Sequence, residues 1–276
     1  MKFKKLPPGG SANCLTPSVK NTMKEKLAAG QVVVGAQLRF GSASIAELFG
    51  HAGFDYLVLD AEHAPQTSVG IQSQLQAIGC TPATPFVRLR KNDPDLMRPY
   101  LDMGALGVLV PFVNTAEEAR LGARALRYPP VGTRGYGPAR ASKYGMDADY
   151  HRNANDEMFY LMMVEDALAV KNIDEIMAVD GVDSYMLGPA DLSFSLGVPL
   201  QMDHPKMKDA IKTVIRAAQK AGKPVGSAVY GGDMFEPDTY QRFVDQGFNL
   251  LLVGGDEWML NYGCRKLLAA VSSIKR

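Results

Sequence analysis

The chain alternates short apolar runs with segments of helical spacing eight times, and this alternation restricts its fold more than any other feature. The pattern is sharpest at 159–166 (Phe-Tyr-Leu-Met-Met-Val-Glu-Asp) and 184–192 (Ser-Tyr-Met-Leu-Gly-Pro-Ala-Asp-Leu). Each reads as a strand buried on both faces, and each ends in a carboxylate, Glu165 and Asp191. Between them Val170, Ile173, Ile176 and Met177 recur at helical spacing, giving strand, helix, strand. Such a crossover joins parallel neighbours. Parallel strands end at one rim, so the two carboxylates are expected in one mouth. Two hard oxygen ligands with open positions between them suit Mg²⁺ or Mn²⁺ holding a chelating substrate. Solvated caps at the strand ends would give the same pattern.

The apolar runs fall near 32–39, 56–60, 85–89, 107–112, 159–164, 184–187, 224–229 and 250–253. Helices are expected over 43–52, 69–78, 94–103, 116–128, 167–178, 205–221, 237–246 and 258–274, several ending in a Gly stop such as Gly53, Gly104, Gly222 or Gly247. Eight such units in 276 residues point to an α/β fold of the (β/α)₈ TIM-barrel kind, with an open doubly wound sheet as the alternative. Residues 1–17, rich in Pro, Gly and Ser, read as a loose arm. Residues 18–276 read as one barrel domain in which Ser18 caps an extra N-terminal helix that stops at Gly30. One long irregular segment, 128–156, is expected over the barrel mouth or against a neighbouring subunit.

Thirty basic residues against 29 acidic ones leave a formal charge of +1, so neither nucleic acid nor a membrane surface is indicated as partner. Small-molecule substrates fit better. The odd, scattered cysteines Cys14, Cys80 and Cys264 suggest a reducing, cytoplasmic setting, and the basic start lacks the apolar run of a secretory signal. No organic cofactor is called for: Gly135-Tyr136-Gly137 lies in a loop after Pro129-Pro130, not in a strand-to-helix turn.

In a barrel, chemistry gathers at the C-terminal strand ends. Those ends offer Gln37 and Arg39; Asp60, Glu62 and His63; Arg88 and Arg90; Pro111; Glu165; Asp191; Ser227; and Gly254-Gly255-Asp256. Lys91 is the only amine near the rim, just past its strand, and there is no Gly-x-Ser-x-Gly elbow, so Schiff-base and Ser-nucleophile mechanisms are poorly supported. A divalent ion, a guanidinium and an imidazole remain, a set suited to proton transfer beside a carbonyl. His63 could exchange a proton near neutral pH. Asp102 could fix its tautomer only if the end of the 94–103 helix approaches the rim.

Five stretches together carry a family resemblance: 52–65 (Ala-Gly-Phe-Asp-Tyr-Leu-Val-Leu-Asp-Ala-Glu-His-Ala-Pro), 87–94 (Val-Arg-Leu-Arg-Lys-Asn-Asp-Pro), 101–105 (Leu-Asp-Met-Gly-Ala), 127–137 (Arg-Tyr-Pro-Pro-Val-Gly-Thr-Arg-Gly-Tyr-Gly) and 188–193 (Gly-Pro-Ala-Asp-Leu-Ser). The chain resembles the HpcH/HpaI family of metal-dependent, class II pyruvate aldolases over about residues 25–270. The resemblance implies a barrel of the phosphoenolpyruvate/pyruvate type, assembled as a homohexamer (a trimer of dimers) with the last helix exchanged between subunits. It makes Glu165 and Asp191 the ligands of Mg²⁺, Mn²⁺ or Co²⁺, and Arg88 the group that binds the keto oxygen and stabilises the enolate. His63 with Asp102 becomes the proton-moving dyad, Asp60 and Glu62 support it, and the backbone of Gly188, Pro189 and Ala190 receives the pyruvate carboxylate.

Two departures stand out. Met163 replaces a Gln two residues before the ligand Glu165, and the loop after Gly137 is about two residues shorter before Arg140; both are expected to touch the site or its lid. The implied activity is cleavage of a 4-hydroxy-2-oxo acid to pyruvate and an aldehyde. The alternatives are oxaloacetate decarboxylation or an acyl-CoA lyase reaction at the same site.

Overall fold

The computed structural model describes residues 20–272 and 274; the arm assigned to 1–17 and the Ser18 cap lie outside the described residues. Among the described residues eight strands, β1 (Val33–Leu38), β2 (Tyr56–Asp60), β3 (Thr84–Arg88), β4 (Gly107–Val110), β5 (Phe159–Val164), β6 (Ser184–Leu187), β7 (Val225–Ala228) and β8 (Leu250–Gly255), close into a barrel in sequence order. Every neighbouring pair is parallel, β8 against β1 included, which excludes the open sheet.

The helices are α1 (Thr22–Ala28), α2 (Ala43–Ala52), α3 (Ser68–Ile78), α4 (Pro94–Asp102), α5 (Ala116–Ala125), α6 (Tyr150–Glu157), α7 (Ala167–Lys171), α8 (Ile173–Met177), α9 (Pro189–Ser195), α10 (Pro205–Ala221), α11 (Pro237–Gln246) and α12 (Asp256–Ser272). Their starts follow local chemistry: Thr115 and Glu118 form a reciprocal capping box on α5, and Asp93 with Pro94 opens α4.

Side chains pointing into the barrel form one apolar cluster, and those pointing outward form a larger one beneath the helices. In the inner layer Tyr56, Phe86 and Phe159 meet edge to face at 5.7 Å per pair. Glycines make the space. A Cβ on Gly35 would fall 2.3 Å from the Tyr56 ring, and one on Gly107 would fall 2.2 Å from Phe86. Met23 and Leu27 of α1 join this inner cluster, so α1 seals the N-terminal end of the barrel. Asn21 Nδ2 fastens it there by donating to the Glu157 carbonyl at 3.0 Å.

Four expectations are corrected. The 128–156 segment holds α6 and a 3-10 turn at Arg140–Ser142, and as a helix-to-strand connection it lies at the sealed N-terminal end, away from the mouth. Arg140, just past the shortened stretch, donates there to the Met103 carbonyl at 2.7 Å and the Leu75 carbonyl at 3.2 Å, so the shortening touches no lid over its own barrel's mouth. The helix expected over 167–178 is two helices, α7 and α8. Asn172 ends one and begins the other while its Nδ2 donates to the Asn114 carbonyl at 2.9 Å. Finally, β6 stops at Leu187, and Asp191 sits in the first turn of α9 because Pro189 starts a helix there.

Candidate active site

Strand alternation decides which side chains reach the mouth. Tyr56 and Val58 of β2 point inward, so Asp60 does too. By the same period Val33 and Gly35 lead to Gln37, Phe86 to Arg88, and Phe159, Leu161 and Met163 to Glu165. A charged layer thus rests directly on the apolar fill.

Asp60, fully buried, is its hub. Oδ1 accepts from Arg88 Nε at 2.9 Å and Oδ2 from Arg88 Nη2 at 2.6 Å, a two-pronged fork. Gln37 Nε2 donates to Oδ2 at 2.7 Å, and the backbone N–H groups of Glu62 and His63 donate to Oδ1 at 3.0 and 3.1 Å. Burial by itself raises the Asp60 carboxyl, but the Arg88 fork and these N–H groups outweigh it and hold it below its ordinary value. Asp60 is therefore a fixed anion that aims Arg88. Nη1 of Arg88 has no partner among the described residues, and Nε also lies 3.4 Å from Glu62 Oε2.

Glu165 is also buried. Its Oε1 accepts from the Phe112 N–H at 2.8 Å, a donor aimed by a left-handed backbone at Phe112 (φ 49°). Burial pushes the Glu165 carboxyl up to about 7; Glu62 and Asp191 add to the rise, while the Phe112 N–H and Arg88 oppose it. Glu62 is raised as well, chiefly by burial. Gly188 has to lack a side chain: a Cβ there would fall 2.9 Å from Glu165 Oε2 and 3.0 Å from Met163 Cε. Met163 thus packs in the inner cluster beside the carboxylate, where it offers no hydrogen-bond donor.

Four carboxylates (Asp60, Glu62, Glu165, Asp191) face two guanidiniums (Arg88, Arg39) at this rim. Among the described residues no three His, Cys, Asp or Glu side chains converge as a ready metal cage. The residues nonetheless fit a dication held by two of them: Glu165 Oε2 accepts from no group among the described residues, the donors are hard oxygens, and carboxylates outnumber guanidiniums around them.

His63 is at the rim, more than half exposed, its Nε2 3.7 Å from Glu62 Oε2. Asp102 is not beside it. It closes α4, which runs from the mouth back to the sealed end, and there it accepts from Arg134 Nη2 at 2.9 Å. Gly188 and Pro189 are buried next to Glu165, and Ala190 and Asp191 are exposed at the start of α9. Gln37 stood among the rim residues without a role, although an inward polar side chain on an apolar strand was a readable signal. The Phe112 N–H was not readable, because it depends on a backbone conformation.

A family model for the HpcH/HpaI aldolase/citrate lyase family matches residues 38–260, which include Asp60, Glu62, His63, Arg88, Glu165 and Asp191 but not Gln37. The chain belongs to that family. HpcH/HpaI relatives include 4-hydroxy-2-oxo-heptane-1,7-dioate aldolase of Klebsiella pneumoniae, 41% identical over 253 residues that cover 91% of this chain and 94% of the relative. Another is 2-keto-3-deoxy-L-rhamnonate aldolase of Escherichia coli, 38% identical over 259 residues, 93% of this chain and 95% of the relative. A crystal structure of an HpcH/HpaI aldolase/citrate lyase family protein from Burkholderia cenocepacia superimposes with a TM-score of 0.86 at 35% identity, covering 92% of this chain and all of that one.

Proposed function

We propose that this HpcH/HpaI protein is a divalent-metal-dependent aldolase, a carbon–carbon lyase that cleaves a 4-hydroxy-2-oxo acid to pyruvate and an aldehyde. The observation that carries the reading is the Arg88 fork locked on buried Asp60, opposite the electron-rich pair Glu165 and Asp191. Glu165 and Asp191 would hold Mg²⁺, Mn²⁺ or Co²⁺, which when bound supplies Lewis-acid polarisation of the 2-oxo group.

The rest of the chemistry belongs to the chain. The backbone from Gly188 to Ala190 receives the substrate carboxylate through the first-turn N–H groups of Ala190 and Asp191, since Gly188 donates to the Val164 carbonyl at 3.0 Å and Pro189 has no N–H. His63, through a water, takes the C4 hydroxyl proton. C4 becomes the aldehyde carbonyl as the C3–C4 bond breaks, and its electron pair enters the C2–C3 enolate. Arg88 meets the charge that develops on the 2-oxo oxygen, and because Asp60 fixes it beforehand no reorganisation is needed as that charge grows. A proton returned to C3 completes pyruvate.

The assembly is proposed to be a homo-oligomer, a hexamer built as a trimer of dimers. α12 supports this: along it Leu260, Leu267, Leu268 and Val271 are all exposed. Asp102, at the opposite end from His63 of its own barrel, could join it as a dyad only from a neighbouring copy. The cytoplasm is the proposed compartment, in keeping with the exposed free thiols Cys80 and Cys264. No helix among the described residues is long and apolar enough to cross a membrane.

A pyruvate-release assay over a panel of 4-hydroxy-2-oxo acids, with oxaloacetate as control, tests the reading. Release should stop in EDTA and return with Mg²⁺, Mn²⁺ or Co²⁺. Undiminished release in EDTA, or turnover of oxaloacetate alone, would overturn it.

A further inference from the structure

We propose that a cavity beside the catalytic layer receives the aldehyde half of the substrate and selects uncharged, hydroxyl-bearing aldehydes over carboxylate-bearing ones. The proposal rests on the aldolase reading and adds to it a substrate class. The cavity, about 580 Å³, lies at the mouth between the ends of β7, β8 and β1, on the side of the barrel away from Glu165. It is within the range of small-molecule sites. Gln37 and Arg39 form its wall toward the catalytic layer: Gln37 donates to Asp60 Oδ2 at 2.7 Å, and Arg39 Nη2 donates to the His63 carbonyl at 2.9 Å. A substrate whose 2-oxo acid end lies against Arg88 has this space for its remaining carbons.

The charges lining the cavity decide what it accepts. Its charged side chains are one guanidinium, Arg39, and two carboxylates, Asp256 and Glu257. Asp256 is spent on the backbone, accepting from the N–H groups of Arg39 at 2.9 Å and Phe40 at 3.0 Å. Arg39 is already held on three sides: Nη1 is bound to Glu257, Nη2 to the His63 carbonyl, and Nε lies 3.3 Å from Asp60 Oδ2 without hydrogen-bonding to it. The lining carboxylates outnumber this one guanidinium two to one, so a terminal carboxylate entering the cavity meets net repulsion. Uncharged groups remain for hydroxyls, the Gln37 and Asn261 amides, beside the half-exposed ring of Trp258. That ring lies close over the backbone of Gly254, where a Cβ would fall 2.9 Å from it. Of the two relatives, the chemistry fits the kind of tail that a deoxy sugar acid carries and disfavours the second carboxylate of a dioate.

The test runs in the condensation direction, with pyruvate, Mn²⁺ and a matched pair of acceptors, glyceraldehyde and succinic semialdehyde. Wild type should favour glyceraldehyde in kcat/KM. Glu257→Gln and, as a second variant, Glu257→Ala free the Arg39 guanidinium and should shift the ratio toward succinic semialdehyde by about tenfold, the size of one charge-assisted hydrogen bond. A wild-type preference for succinic semialdehyde, or a ratio unmoved in both variants, overturns the selection while condensation itself goes on. If neither aldehyde condenses in any of the three proteins, the aldolase reading falls and this inference falls with it.

Discussion

Two of the carboxylate–guanidinium pairs shielded from water lie at opposite ends of the barrel, and they behave differently. At the sealed end Arg134 donates to Asp102 at 2.9 Å, its guanidinium carbon 4.6 Å from the centre of the Tyr128 ring and 5.9 Å from that of Tyr150. One cation faces one anion between aromatic faces, a neutral arrangement that packs a loop onto α4. At the mouth Arg88 and Asp60 make a tighter fork, yet Glu62, Glu165 and Asp191 crowd the same space and lift Glu165 to about 7. Burial and pairing are common to both ends; unbalanced charge beside an open donor marks only the mouth. Strongly perturbed groups of that sort gather where chemistry is done.

The contrast breaks most visibly at Arg88. Arg88→Ala should lower pyruvate-forming kcat/KM by about 10³, as loss of one preorganised oxyanion donor does, while circular dichroism shows a folded barrel, because Asp60 keeps Gln37 and two backbone donors. Retained activity would contradict the role. Arg134→Ala should act the other way round. It should cost about 3–5 kcal/mol of stability in denaturant titration, since a buried partner is removed, with a loss of turnover far smaller than that of Arg88→Ala. A matching loss would instead assign Asp102 to the site of a neighbouring copy.

A third effect separates the ends by pH. Glu165 titrates near 7 in the folded chain against an ordinary 4.5, so the folded state holds this proton more tightly than the unfolded state does. Its stabilising contribution is complete below the ordinary value and is lost as pH rises through about 7. Metal-free protein should therefore lose on the order of 3 kcal/mol between about pH 5 and pH 8, and Glu165→Gln should flatten that slope in thermal melts. Mn²⁺ affinity should rise over the same interval, because the cation displaces the proton. The smallest effect belongs to Gln37→Leu, which removes one of several donors to Asp60 and should reduce kcat/KM about tenfold, the size of one hydrogen bond to a charged group. No change would reduce Gln37 to a spacer.

Much of this was legible in the residues. Apolar runs alternating with helical spacing gave the closed barrel, and the acids and bases at strand ends gave Asp60, Arg88 and Glu165 their place. Three features were not legible, for different reasons. Asp191 falls in α9 because Pro189 begins a helix inside what reads as one continuous run. Asp102 looks like a partner for His63 of the same barrel in sequence, but α4 carries it to the opposite end, so only a neighbouring copy could bring the two together. The 128–156 segment looks like a lid because it is long and rich in Gly and Pro. Which end a connection occupies depends on whether it leaves a helix or a strand, and this one leaves α5.

The α1 plug, with Met23 and Leu27 set into the inner cluster, makes the barrel a well with a single opening. On the proposed reading both fragments share that opening: the three-carbon acid lies against Arg88, and the aldehyde lies to the side, between the ends of β7, β8 and β1. Neither can leave through the floor, so each product held at the mouth should slow the exit of the other, and the closed floor sets the traffic as firmly as the charged layer sets the chemistry.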